Sequence, residues 1–126
     1  MTVVYDAGVL VAAERSNRDV WADHRARLEG GFLPATTAPV VAKVSRSPRQ
    51  VQLHRFLRGC VVVPFAADEA HEIGRLLGQC TMSDVVDAHV VATARRRSAS
   101  AILTSDPEDL RSLSTQLTTP VPIRAI

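Results

Sequence analysis

The sequence predicts an α/β domain: a short, mostly parallel sheet flanked by helices in three layers. Three observations lead there. Short β-branched runs alternate with longer helical patterns along the whole chain, the order expected of a parallel sheet with helices on both faces. No repeat, linker or low-complexity tract interrupts that order within the 126 residues, so residues 1–126 are read as one domain with a single core. Three apolar stretches also run into an aspartate each: Thr2–Tyr5 into Asp6, the Ser83–Val86 segment into Asp87, and Ala101–Ser105 into Asp106. In such sheets ligands bind outside the carboxyl ends of the strands, where Asp6 and Asp106 are expected to lie.

Each element has a local reason. Thr2–Tyr5 is β-branched and aromatic, a buried strand. After Gly8, the spacing of Val9, Leu10, Ala12 and Ala13 predicts a helix from Val9. Asn17-Arg18-Asp19 breaks it, and a second helix carries Val20, Trp21, His24 and Leu28 on one stripe until Gly30-Gly31 stops it. Phe32–Ala35 is the expected second strand. Thr36-Thr37 supplies an N-cap ahead of Pro39, opening a helix to about Arg46, and Ser47-Pro48 starts another that ends at Gly59. Cys60–Pro64 is the third strand and Ala67–Gln79 a helix. Ser83 caps the longest helix, which runs to Arg95-Arg96-Arg97. Ala101–Leu103, Pro107–Leu113 and Val121–Arg124 complete the order as strand, helix and strand.

Composition narrows the function. The chain is 46% apolar and 22% charged, ordinary globular values, and no apolar run approaches the ~18 residues that span a bilayer. Met1 leads straight into a strand without a basic or apolar leader, and Cys60 and Cys80 have neither CxxC nor zinc spacing, so reduced thiols and a cytoplasmic location are expected. A net charge of +2 does not argue for nucleic acid, but fourteen arginines stand beside a single lysine, Lys43. Guanidinium forks suit phosphate; a coding bias explains the same count. The absence of G-x-S-x-G, Walker A and G-x-G-x-x-G motifs argues against serine hydrolases, NTPases and dinucleotide binders.

Taken singly, each aspartate has a structural explanation. Asp6 and Asp106 can cap the helices that follow them, Asp106 with Pro107 and further acids in the first turn. Asp84 and Asp87, three apart on one helix face, complement the helix dipole, although Asp87 sits among valines and tends towards burial. Their convergence at one sheet edge changes the balance. Carboxylates so placed raise one another's pKa unless a cation neutralises them, and oxygen-only ligands suit Mg²⁺ or Mn²⁺. A metal-activated water attacking a phosphodiester is the chemistry such a set supports.

The segments VVYDAGVLVAA, TTAPVVAKVSR, SDVVDAHVVATARRR and AILTSDPEDL, in this order and spacing, resemble a PIN-domain ribonuclease of the VapC toxin type. The resemblance spans essentially the whole chain. It implies a PIN-like α/β/α fold and a Mg²⁺- or Mn²⁺-dependent endoribonuclease that cuts single-stranded or loop RNA, of tRNA or rRNA class. It further implies a homodimer silenced by a cognate VapB-type antitoxin. Matched motif by motif, Asp6, Asp87 and Asp106 are implied as catalytic metal ligands, Asp84 as an auxiliary ligand and Thr104 as a hydroxyl behind them.

Lys43 departs from the family, which usually carries glutamate there. At ~4 Å and an effective dielectric of about 20 each unit charge pair is worth roughly 4 kcal/mol before solvent discounts it, so the exchange matters. Lys43 then occupies part of the metal position, swings out, or touches the substrate phosphate. Arg46 and Arg49 are the expected phosphate contacts, and Arg55 and Arg58 could extend an RNA path; Arg95-Arg96-Arg97 is explained by the helix dipole. His89, two residues past Asp87, points away from it and is expected to pack. The rival reading is a PIN fold that no longer cuts and only binds RNA or its antitoxin. A phosphoacceptor domain is disfavoured, because no adjacent acidic pair follows the first strand.

Overall fold

Strand β1 (Val3–Tyr5) is the middle of the molecule in sequence logic and in space: every side chain in it is buried. The computed structural model describes residues 2–82 and 84–126. β1 pairs in parallel with β2 (Ala35–Thr37) on one side and β4 (Ala101–Thr104) on the other; β3 (Val61–Val63) and β5 (Ile123–Ala125) extend the two flanks. The resulting order, β3-β2-β1-β4-β5, is all parallel, so the chain winds outward from the centre in both directions. The reversal of winding lies between β1 and β4, and the crevice at their carboxyl ends is the topological switch point where such sheets bind ligands. The fold class read from sequence is therefore the fold observed.

Helix α1 (Ala7–Glu14) follows β1 with no loop and begins two residues before the expected Val9. Gly8 makes the early start possible: a Cβ there would lie 2.0 Å from Ser105 Oγ, so only glycine lets the first turn pass this close to the segment after β4. α2 (Arg18–Glu29) is capped by Asn17, whose side chain accepts from Val20 N at 3.1 Å. The second strand departs from expectation. Phe32 and Leu33 are exposed, and the strand is Ala35–Thr37, with Thr36 and Thr37 fully buried. Hydroxyls can occupy a central strand here because Thr36 Oγ1 donates to Tyr5 O at 2.9 Å and Thr37 Oγ1 accepts from Val40 N at 3.2 Å.

That second bond caps α3 (Ala38–Val44), as Thr36-Thr37 predicted. α3 ends before Arg46, and α4 (Val51–Leu57) begins after Ser47-Pro48 rather than at it. The Gln50 side chain holds the intervening turn by accepting from Arg46 N and Ser47 N, while Glu14 Oε2 accepts from Leu53 N and caps α4 from α1. A short 3-10 turn, Ala67–Glu69, runs into α5 (Ala70–Cys80). α6 (Val85–Arg96) is capped by Asp84; the expected cap, Ser83, lies outside the described residues. α7 (Pro107–Ser114) precedes β5, whose bounds fall two residues later than expected at its start.

Helices α1 to α4 pack together on one face of the sheet and α5 to α7 on the other, giving three layers. α6 lies directly over the central strands and is buried from Ala88 to Ala94. The arginines at its end do more than complement the dipole. Arg96 reaches Glu69 at 2.6 Å, and Arg95 and Arg96 both grip Glu72, locking α5 to α6. His89 is fully buried on the Phe65 ring, as a packing residue should be, and its burial holds its pKa below the usual imidazole range. Among the described residues no helix is long and apolar enough to cross a membrane, and both cysteines are free thiols.

Candidate active site at the carboxyl edge of the sheet

Asp6 is the first residue beyond β1, and its N–H still bonds Leu103 O at 3.0 Å, extending the β1–β4 ladder by one step. Its backbone has the extended conformation of an N-cap (φ −85°, ψ 174°), yet its carboxylate makes no capping bond. Instead Oδ2 accepts from Thr104 Oγ1 at 2.9 Å across the switch point. The structural explanation for Asp6 therefore fails at the side chain: a group only 8% exposed is turned away from the amides it could satisfy. Thr104, fully buried at the end of β4, donates to Asp6 and accepts from Asp106 N at 3.0 Å, so one hydroxyl joins two of the sequence-predicted carboxylate residues.

The start of α6 supplies the next two. Asp84 is the N-cap, and Oδ1 accepts from Asp87 N at 3.1 Å, so for Asp84 the capping role holds. Asp87 is the electrostatic centre. Burial first, then the carboxylates of Asp84 and Asp6, push its pKa up to about 6; Lys43 opposes them, and Asp109 adds to the rise. The charges of Asp84 and Asp6 thus both act on Asp87.

Asp106 sits at the same edge as N-cap of α7, exposed, and again makes no capping bond with its side chain. Asp109, one turn further along the same helix face, is the acid whose charge acts on Asp87. The sequence reading did not single it out. The available signal was its spacing of three from Asp106, which puts both on one side of α7.

Lys43 stands in the last turn of α3 with Nζ 3.8 Å from Asp84 Oδ2, both side chains nearly half exposed. It neither swings away nor enters the buried part of the site; it pairs with the outer acid of the cluster. Arg46 is tied down, its guanidinium donating to Ala42 O and Ser45 O at the end of α3. Arg49 lies exposed on the adjoining turn, its guanidinium without a protein partner among the described residues.

The donor set is made of hard oxygens, and the mutual repulsion that raises Asp87 is what a divalent cation relieves. In chemistry the residues fit a divalent cation. As they stand, no three acids, imidazoles or thiolates among the described residues close to ligand spacing.

The family model described as PIN domain matches residues 3–114, nearly the whole chain. This chain belongs to the PIN-domain family. PIN domains are generally nucleases, and the acidic edge is where this member carries its charged oxygens. No curated protein matches. Among solved structures the PIN fold here resembles the "Crystal structure of VapBC2 from Rickettsia felis bound to a DNA fragment from their promoter", with a TM-score of 0.70, 17% identity, and coverage of 100% of this chain and 99% of that one. At that identity the likeness is one of fold.

Proposed function

We propose that this PIN-domain protein is a Mg²⁺- or Mn²⁺-dependent endoribonuclease of the VapC toxin type, cutting single-stranded or loop regions of RNA of tRNA or rRNA class. The observation that carries the reading is the Thr104 hydroxyl at the switch point, which holds the buried Asp6 carboxylate and the backbone of Asp106 while the Asp6 charge acts on Asp87. A carboxylate that served only as a helix cap would not be buried like Asp6 and bonded across the sheet to Thr104 instead of to its own helix. In this reading Asp6, Asp87 and Asp106 hold the metal and Asp84 lends charge from the rim. Thr104 fixes the Asp6 carboxylate so that one oxygen remains free for the ion. The bound ion would supply an activated water and neutralise charge on the scissile phosphate. Lys43 and Arg49 would meet the substrate phosphates, and Arg46 would hold the turn between them.

The family resemblance and the likeness to a VapBC2 structure support a VapB-type antitoxin as partner; a homodimer acting in the cytoplasm completes the proposal. The Lys43–Asp84 pair favours a second reading, a PIN fold with weakened catalysis that binds RNA or its antitoxin. Cleavage of single-stranded RNA with Mn²⁺ or Mg²⁺ by the native chain, Lys43→Glu and Asp6→Asn separates the two. Metal-dependent cutting by the native chain that Asp6→Asn abolishes supports the nuclease. Cutting only after Lys43→Glu supports the weakened enzyme, and cutting retained by Asp6→Asn overturns the site.

A further inference from the structure

Helix α2 carries charge on two faces, one mixed in sign, where Arg27 stands with Asp19 and Asp23, and one wholly basic. Asp19 and Asp23, four apart, line a cavity shared with Ser105 and Arg124. Arg18, Ala22 and Arg25, spaced four and three apart, form the neighbouring stripe. With Gln52 and Arg55 of α4 they line a separate groove of about 390 Å³, part of whose wall is Trp21. All three arginines are exposed, and none makes an ion pair among the described residues. Among the described arginines only Arg95 and Arg96 make ion pairs, so what sets Arg18, Arg25 and Arg55 apart is that the three line one groove. Three unpaired guanidiniums around one groove repel one another, and such an arrangement is stabilised by an anionic occupant.

The lining indicates which anion. A protein partner held by its apolar side chains would need aliphatic pockets, and Ala22 is the only aliphatic side chain in the lining. Guanidinium forks, an amide and an indole are instead the groups that hold a phosphodiester strand, the forks on phosphates and the π-systems on bases. The groove is also placed for it. The start of α2 lies at the carboxyl edge of the sheet, since Asn17 and Asp19 share a cavity with Leu103 and Ser105, next to Asp106. Trp21 Nε1 donates to Ala13 O at 2.9 Å, fastening α2 to the far end of α1, whose near end is Asp6. α1 is eight residues long, about 12 Å, a distance a short single strand covers.

We infer that the groove between α2 and α4, with Arg18, Arg25, Arg55 and Trp21, is a second binding site for single-stranded RNA, holding the strand's backbone away from the acidic edge. The inference rests on the RNA-directed reading above and names where the uncut part of the strand lies. Because contact is mainly to phosphates, binding there is independent of sequence and steeply dependent on salt.

The test is fluorescence anisotropy of a labelled single-stranded RNA of mixed sequence, titrated with the full chain in EDTA so that no cleavage occurs. Trp21 is the only tryptophan of the chain, so its emission reports on the groove directly. RNA is expected to quench Trp21 in the native protein. The triple variant Arg18→Gln/Arg25→Gln/Arg55→Gln, with its fold checked by circular dichroism, should lower the slope of log affinity against log salt by about 2, at ~0.7 per lost phosphate contact. Between about 50 and 200 mM salt the native protein then loses about sixteen-fold more affinity than the variant. An unchanged slope with no change in Trp21 emission overturns the inference. So does quenching by a poly-glutamate peptide but not by RNA, which would make the occupant an acidic protein segment. RNA binding through the groove without cleavage under any metal leaves the inference standing and removes the nuclease reading. Cleavage lost in Asp6→Asn with RNA binding indifferent to the three arginines does the reverse.

Discussion

Reversing the charge at Lys43 should strengthen binding of a divalent ion at the acidic edge, and the structure sets the size of the effect. Nζ lies 3.8 Å from Asp84 Oδ2. A unit pair at that distance is worth about 1 kcal/mol in water and about 4 kcal/mol at an effective dielectric of 20. The side chains are 49% and 41% exposed, so the water-like limit applies and the pair itself contributes at most about 1 kcal/mol. For a doubly charged ion at roughly twice the separation, repulsion by Nζ has the same size, about 1 kcal/mol. Lys43→Met removes that repulsion and should raise Mn²⁺ affinity about fivefold; Lys43→Glu turns it into attraction and should raise it about thirtyfold. Isothermal titration calorimetry with Mn²⁺ at fixed ionic strength reads the three affinities. Thermal shift at increasing Mn²⁺ provides an independent check, since a ligand of the native state stabilises by mass action. Added salt should compress the differences, because the pair is near the surface. Equal affinities, or an order in which the native chain binds best, would refute the placement of Lys43 in the field of the site.

Thr104→Val deletes the bridge between Asp6 and Asp106 N and leaves a buried carboxylate oxygen unsatisfied; a loss of about 1–3 kcal/mol in chemical denaturation is expected, together with loss of RNA cleavage. Asp87, whose folded pKa of about 6 exceeds its unfolded value, binds its proton more tightly in the native state. Its contribution to stability is therefore complete below about pH 4 and lost as pH rises through about 6, and metal-free melting curves of Asp87→Asn should lack that decline. Gly8→Ala forces a Cβ against Ser105 and should cost about 1–3 kcal/mol, partly recovered by Ser105→Gly, which removes the Oγ and Cβ in the way. Arg96→Ala leaves Glu69, only 3% exposed, without its cationic partner. A loss of up to about 3–5 kcal/mol is expected, reduced by the partial exposure of Arg96, and thermal denaturation would show it.

Much of the site was legible because its signals are local. A strand that ends in aspartate, a threonine before a proline, and an aspartate before a proline are statements about adjacent residues, and strand ends and helix starts obey such rules. The errors fell where local pattern and tertiary contact disagree. Phe32–Ala35 has the apolar look of a strand, yet the ladder runs through Ala35–Thr37, because Tyr5 O and Val40 N satisfy two buried hydroxyl groups from elsewhere in the chain. Likewise α4 starts late because Glu14, thirty-nine residues before Leu53, supplies its cap. Neither partner is visible from the segment itself.

By itself the sequence determined the α/β class, the strand-end aspartates, and the presence of one lysine among them, since periodicity and composition belong to the chain before it folds. Only the tertiary structure decided which charges meet. It joined Asp6 to Thr104 across ninety-eight residues, set Asp109 as well as Asp84 against Asp87, spent Lys43 on the outer acid, and gathered Arg18, Arg25 and Arg55 from two helices into one groove. The physical reason is range. Helix caps and strand patterns act over a few residues, whereas Coulomb forces act through space, and which carboxylate faces which cation is settled only when distant segments pack.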